Sequence, residues 1–306
     1  MQKKTIQRVI TNKLTEWLET ITDENLRENV KNNLLVSGGS IASMFLNEKV
    51  NDYDIYIQDI NVLYELAEYY LPNRVLDGRK RDSLILGHYI SKFGSEKEAK
   101  NRFENDLTDD LSEYTVRLKN LHSNQIKLDV VSSGENFKVD MENENLYQLK
   151  FVSQNAISLT DDIQIVTRFS GTPEEIHETF DFIHATNYFT FKDGLVTNLP
   201  AMESLISKDL KYQGSHYPLT SIIRIKKFLK RNWTINAGEL LKIMFQISEY
   251  NLKDVEVLEE QLIGVDIAYF DKLIDIIRGV PSNKITPNYL NTIIDRVFNN
   301  YEETEE

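Results

Sequence analysis

Leu34-Leu35-Val36-Ser37-Gly38-Gly39-Ser40, followed by Asn51-Asp52-Tyr53-Asp54-Ile55-Tyr56-Ile57, decides how this chain is read. The apolar triplet Leu34 to Val36 predicts a short buried strand. Gly38-Gly39-Ser40 then releases backbone N–H groups where a helix, Ile41 to Leu46, is predicted to begin. A helix start of this kind attracts phosphate, because its first N–H groups lack intrahelical partners and carry the positive end of the helix dipole. Asp52 and Asp54 stand one residue apart in a segment that continues Ile55-Tyr56-Ile57, so the strand period of two puts both carboxylates on one face. Two like charges held so close favour a divalent cation between them. Mg²⁺ takes one or two carboxylates and completes its shell with water and substrate phosphates. A Gly-Gly turn alone is common loop chemistry, and an Asp-x-Asp alone is ordinary at a solvated strand edge. Their order, strand, glycines, helix, then paired acids opening a second strand, carries the reading.

The 306 residues, 41% of them hydrophobic, are enough for two modest domains with real cores. A net charge of -13 argues against a general nucleic-acid coat, which needs a surplus of Lys and Arg, but leaves room for a local basic patch. The chain has no cysteine, which removes disulfides, thiolate zinc sites and cysteine nucleophiles together and fits a reducing compartment. Met1 to Ile10 has no apolar core and no run approaches a membrane span, so a cytoplasmic protein with no membrane partner is expected.

Local patterns divide the chain. Residues 5–31 predict one or two amphipathic helices, with Ile6, Val9, Ile10, Leu14 and Leu18 at helical spacing. Val62 to Leu71 predicts a helix ended by Pro72. Ser83 to Ile90 and Tyr114 to Leu118 read as strands, separated by a polar, acidic stretch from Lys92 to Asp110 expected to be a solvated loop with some helix. Ile126 to Val131 reads as a strand ending at Ser132-Ser133-Gly134, and Ile163 to Phe169 as another. Thr172-Pro173-Glu174-Glu175 is a helix start, with Thr as cap, Pro in the first position and acids in the first turn. Tyr188 to Phe191 and Leu195 to Leu199 flank Lys192-Asp193-Gly194, a hairpin signal. Helices are expected near 201–208, 219–231, 236–248, 252–263, 267–278 and 287–300, with Glu302 to Glu306 a frayed acidic tail. The expected organisation is α+β. An N-terminal helical segment (1–32) precedes a small mixed-sheet head (33–200, with an insertion near 92–112), and an all-helical part (201–306) follows.

Further chemistry is visible in single residues. Asp129 lies between Leu128 and Val130, either as a strand-edge acid facing water or as a third ligand to a metal held by Asp52 and Asp54. The metal is preferred, since an acid among apolar neighbours is costly without a counter-charge. On the helix at 219–231, Arg224, Lys227 and Arg231 share one side, with Lys230 beside them, opposite Ile222, Ile225 and Leu229. A solvated face and a phosphate contact compete here, and in an acidic protein the contact is preferred. His88, His122, His177, His184 and His216 lack partners at ligand spacing and read as structural or surface residues, as do Trp17 and Trp233.

Gly38-Gly39-Ser40, Asp52-x-Asp54 and the downstream Asp129 together resemble the DNA polymerase β-like nucleotidyltransferase superfamily. Ile165 to Phe182, with Thr172-Pro173-Glu174-Glu175-Ile176 and Thr179-Phe180-Asp181-Phe182, is similar to the acidic helix and Arg-Arg-Asp-Phe motif of CCA-adding enzymes and bacterial poly(A) polymerases. The hairpin, Leu199-Pro200, Glu203-Ser204-Leu205, Tyr217-Pro218-Leu219 and Ile223-Arg224-Ile225-Lys226-Lys227-Phe228 follow in the family's order, so the resemblance covers residues 33–235. It implies a nucleotidyltransferase palm with a helical neck and body. Two Mg²⁺ ions would be held by Asp52, Asp54 and Asp129, and a nucleoside triphosphate by Gly38, Gly39, Ser40, Tyr217, Arg224 and Lys227. A nucleoside monophosphate would pass to a hydroxyl acceptor, an RNA 3′ end, with release of pyrophosphate. The family's pair of arginines is here Thr179-Phe180, its nucleotide-selecting Glu-Asp-x-x-Arg falls on Tyr217, Pro218 and Ser221, and its Arg-Asp after the glycines is Ala42-Ser43. Tyr217 at that position offers a ring for stacking on a base. These departures leave the metal chemistry in place. They leave the base and acceptor open, with a protein or small-molecule acceptor, or a non-catalytic nucleotide-binding regulator, as alternatives.

Overall fold

A computed structural model describes residues 1–105, 113–131, 134–140, 147–262, 274–281 and 284–302. The chain forms two compact units, one of Met1–His177 with Ala185–Leu199 and the other of Glu178–His184 with Pro200–Glu306.

The first unit is built on an eight-stranded mixed sheet. Its strands are β1 (Leu34–Ser37), β2 (Tyr53–Ile57), β5 (Glu135–Asn136), β6 (Leu149–Ser153), β7 (Ala156–Leu159), β8 (Ile163–Val166), β9 (Tyr188–Thr190) and β10 (Gly194–Val196), in the order β10-β9-β1-β2-β8-β7-β6-β5. β1 and β2 are antiparallel, pairing Leu34 with Ile57 and Val36 with Ile55, whereas β2 and β8 are parallel, pairing Tyr53 with Ile163 and Asp54 with Gln164. Parallel neighbours need a long crossover. Here it carries α4 (Ile60–Tyr70), the two-stranded sheet β3 (Val75–Asp77) with β4 (Ile126–Leu128), and α5 (Arg81–Phe93), α6 (Glu96–Asn105) and α7 (Glu113–Lys119).

The N-terminal helices are not a separate segment. α1 (Lys3–Glu19) buries Ile6, Ile10, Leu14, Trp17 and Leu18 in the same core as Leu34, Val36, Ile55, Ile57 and Ile165. α2 (Glu24–Asn33) starts on Asp23, whose carboxylate accepts from the N–H groups of Asn25 and Leu26, and runs directly into β1. This cap satisfies two donors that a helix start otherwise leaves unpaired.

Two expectations are corrected. Ser83 to Ile90 and Tyr114 to Leu118 are helical, within α5 and α7. A short apolar run does not declare its period, and here Ile85 and Tyr89, one helical turn apart, face inward with Leu76, Ala99, Leu118 and Leu121. The insertion therefore has a small core of its own, including part of the stretch expected to be solvated; residues 106–112 lie outside those described. Strands β3, β5, β6 and β7 have no strong period and are absent from the sequence reading. Ser132-Ser133, the expected helix over 267–273 and the acidic tail after Glu302 also fall outside the described residues, while 274–278 is helical.

The second unit contains α9 (Leu199–Ser207), α10 (Pro218–Lys230), α11 (Ala237–Ser248), α12 (Val255–Gln261) and α13 (Pro287–Glu302), all at or within two or three residues of the expected spans. Segment 178–184 joins it through a bridge between Phe182 and Tyr212 and a bond from Ile183 N–H to the Lys211 carbonyl at 3.0 Å. His184 is buried there in an aromatic nest, with ring centroids 4.6 Å from Trp233, 4.8 Å from Phe228 and 6.1 Å from Phe182. Among the described residues, no helix is long and apolar enough to cross a membrane.

Burial in that nest pushes the His184 ring down to about 4 from 6.5, outweighing the opposing pull of Asp181. Between those two values the unfolded chain binds a proton that the folded chain refuses, so stability falls as pH drops from 6.5 towards 4. The loss from this one ring is on the order of 3 kcal/mol. His184→Phe should flatten that part of the profile, as read by denaturant unfolding of both proteins across the window; an equal slope in the variant would refute the assignment.

Candidate functional site

The turn after β1 and the start of β2 occupy one place. Continuing the β1–β2 register sets Ser37 opposite Asp54, and Gly38 follows with φ 90° and ψ -145° before α3 (Gly39–Leu46) begins. A Cβ on Gly38 would stand 3.2 Å from Asp54 Oδ2, so the glycine lets the chain reverse against the carboxylate. Gly39 opens the other way, with nothing within 4 Å of where a Cβ would lie. The Gly38 N–H is donated to the Ala185 carbonyl at 3.0 Å, so it is not a phosphate donor as expected. The donors at the start of α3 are those of Gly39, Ser40 and Ile41, which helix geometry leaves without intrahelical partners. Ser40 Oγ is enclosed and has no hydrogen-bond partner.

The turn is anchored from far along the chain. Ser37 Oγ lies 2.8 Å from His177 Nε2, and 3.1 Å and 3.0 Å from the carbonyl oxygens of Ala185 and Asn187. A hydroxyl proton given to a carbonyl leaves the oxygen to accept from the ring, and burial holds His177 down at about 4, hence neutral with a donor to give. The pair is thus a brace, not an activated nucleophile. His177 sits on α8 (Pro173–Glu178), whose start is a reciprocal box: Thr172 N–H donates to Glu175 Oε2 at 2.8 Å, and Glu175 N–H to Thr172 Oγ1 at 3.3 Å.

On β2, Asp54 is half-buried and accepts from Gln164 Nε2 at 2.8 Å through Oδ1. Asp52 is exposed at its tip, yet its carboxyl is raised above the usual range, first by the protein mass around it and then by the charge of Asp162. The parallel register, continued by one residue, sets Asp162 opposite Asp52. Asp162 lies in a turn in which it and Asp161 are both left-handed, at φ 61° and 56°. Tyr53 N–H donates to the Asp162 carbonyl at 2.7 Å, and Lys13 pairs with Asp161.

Asp129 is not brought to this pair as a third ligand. The counter-charge that its position requires comes from Arg117, at 2.7 Å, while its carbonyl accepts from Arg74 Nη2 at 3.2 Å. Among the described residues, no three Asp, Glu, His or Cys side chains form a metal-holding group. Asp52 and Asp54, oxygen donors two residues apart at the start of β2, could hold a single Mg²⁺ that takes its remaining ligands from water and phosphate.

The other expected nucleotide contacts belong to the second unit. Tyr217 is the residue before α10, Lys227 is exposed on it, and Arg224 pairs with Asp181 at 2.9 Å. Pro218 and Ser221, at the resemblance's base-selecting positions, are buried in the helix start. Gln164 and Asp162 escape the sequence reading, because only a parallel pairing between distant strands sets them beside Asp54 and Asp52.

A family described as "Gabija anti-defense 2 family protein" matches residues 8–208. The chain belongs to the Gabija anti-defense 2 family. A curated member from Bacillus phage SPbetaL7, named Gabija anti-defense 2, is 21% identical over 269 residues, covering 86% of this chain and 49% of that protein. The chain thus spans about half the length of this relative. Solved structures with similarity include a Thermotoga maritima CCA-adding enzyme complexed with tRNA (13% identity, TM-score 0.36, covering 90% of this chain and 57% of that one). A tRNA nucleotidyltransferase complexed with a primer tRNA and an incoming ATP analogue is similar at 13% identity and TM-score 0.36, covering 87% and 59%. A tRNA-processing enzyme complex is similar at 12% identity and TM-score 0.38, covering 89% and 57%.

The contrast between the two glycines is testable. Gly38→Ala puts a side chain at a positive φ that glycine alone adopts readily, a strain of about 1–3 kcal/mol, and crowds Asp54, whereas Gly39→Ala meets open space. Denaturant unfolding should show the first variant less stable by at least that amount and the second close to the parent; equal effects would overturn the geometry.

Proposed function

We propose that this chain is a divalent-cation-dependent nucleotidyltransferase, moving a nucleoside monophosphate from a nucleoside triphosphate to a hydroxyl of an RNA 3′ end. The observation that carries this reading is the closure of the Gly38 turn on Asp54, which sets a helix start beside that carboxylate, two residues after Asp52. In the reaction an acceptor oxygen forms a bond to the α-phosphorus, the α–β anhydride bond breaks, pyrophosphate leaves with that electron pair, and the acceptor proton passes to solvent. Gly39, Ser40 and Ile41 receive triphosphate oxygens through their N–H groups, and the open side of Gly39 lets the phosphate approach the backbone. Mg²⁺ held by Asp52 and Asp54 would supply neutralisation of the triphosphate and of charge developing on the leaving group. Asp54 is oriented by the Gln164 amide, which donates to its Oδ1. The raised Asp52 carboxyl fits a group whose charged form waits on a cation.

Membership of an anti-defense family favours a second acceptor, the hydroxyl of a protein side chain, since marking one component of a defence is a direct way to silence it. The two acceptors share one chemistry.

Incubation with each α-labelled triphosphate, Mg²⁺, RNA and candidate proteins should transfer label to one acceptor class. Asp52→Asn and Asp54→Asn should each reduce transfer by roughly two to three orders of magnitude, the scale of losing a charge-stabilising group at a reacting centre. Transfer that survives both substitutions, or none with any triphosphate, would sink the proposal.

A further inference from the structure

We infer that Gln164 restricts the Asp52–Asp54 site to one divalent cation, an inference that rests on the nucleotidyltransferase reading of that site. Three side chains line up across neighbouring strands. Ser158 on β7 is paired with Gln164 on β8, and Gln164 with Asp54 on β2. Paired residues of adjacent strands project from the same face. Gln164 therefore stands beside Asp54 on the face that carries both acids. Its orientation is determined: Ser158 Oγ donates to Gln164 Oε1 at 3.3 Å, which turns the amide nitrogen to Asp54 Oδ1 at 2.8 Å.

This bond has a consequence for cation number. Two-metal sites hold their ions about 3.5–4 Å apart and need carboxylate oxygens shared between them. An Asp54 oxygen that accepts an amide proton presents that lone pair to a donor, and an amide N–H repels a cation. Among the described residues, no other acid replaces the lost ligand. Asp129 is committed to Arg117. Asp162 stands opposite Asp52 in the left-handed turn before β8, but with Asp52 and Asp54 it forms no metal-holding group of three among the described residues. A neutral donor thus occupies the position from which a carboxylate would complete a second cation site. Gln164→Glu keeps the length and shape of the side chain and exchanges the donor for that carboxylate.

Native mass spectrometry of the full chain with Mn²⁺ and a non-hydrolysable triphosphate counts bound cations directly. One Mn²⁺ per ternary complex is expected for the parent, two for Gln164→Glu, and one for Gln164→Met, which removes the donor without adding charge. Circular dichroism melting identifies any variant that does not fold, in which case Gln164→Asp takes the place of Gln164→Glu, and the parent's count stands by itself. Two cations in the parent complex would overturn the inference and leave nucleotidyl transfer intact. A single cation in a folded Gln164→Glu would overturn the role of Gln164. Binding of triphosphate with no cation would overturn the metal-dependent reading itself.

Discussion

The close approach of Gly38 to Asp54 is the constraint on which the first unit depends. The chain leaves β1, reverses at a left-handed residue and enters α3 within the space that a side chain would fill. That reversal holds only because Gly38 N–H, Ser37 Oγ and the His177 ring meet the backbone of 185–187. A local turn is thus fixed by residues some 140 positions away, and β9, which pairs with Ser37 and Val36, is part of the same fastening. Each tie is a neutral hydrogen bond of modest net worth, about 1 kcal/mol. Their value lies in direction, because together they leave the turn one geometry.

What the sequence makes legible follows from how far apart the deciding residues lie. α1, α4, α10 and the β9–β10 hairpin are readable because their apolar period, caps or turn residues lie within one element. The strand at Leu34 and the Asp-x-Asp strand are readable for the same reason. Ser83 to Ile90 fails because Leu84, Ile85 and Leu86 are consecutive, and the face that is buried is chosen by Leu76 and Leu118 from other elements. β6 and β7 fail because their pairing, not their composition, makes them strands. At the site, Asp52, Asp54 and the glycines declare themselves by local order, whereas the partner of Asp54 is set by a parallel register across a long crossover.

Asp129 shows how a sound premise can lead to the wrong partner. An acid between Leu128 and Val130 does require a counter-charge, and Arg117 provides it. A guanidinium and a divalent cation answer the same electrostatic demand, so sequence alone cannot choose between them. Arg224 repeats the lesson in the second unit. Its helical position suggests a cation offered to phosphate, but it is paired with Asp181, beside the Phe182 and His184 nest.

The span of the family match divides the candidate residues. Residues 8–208 contain Gly38, Asp52, Asp54, Gln164 and His177, and end one residue past α9. Tyr217, Arg224 and Lys227 lie beyond it, and the base-selecting positions there are spent on burying Pro218 and Ser221 at the start of α10. A buried serine cannot present a hydrogen-bonding edge to a base. The glycine turn, both acids and the glutamine that holds Asp54 therefore lie inside the span shared with the family, whereas the helix that buries Pro218 and Ser221 lies outside it.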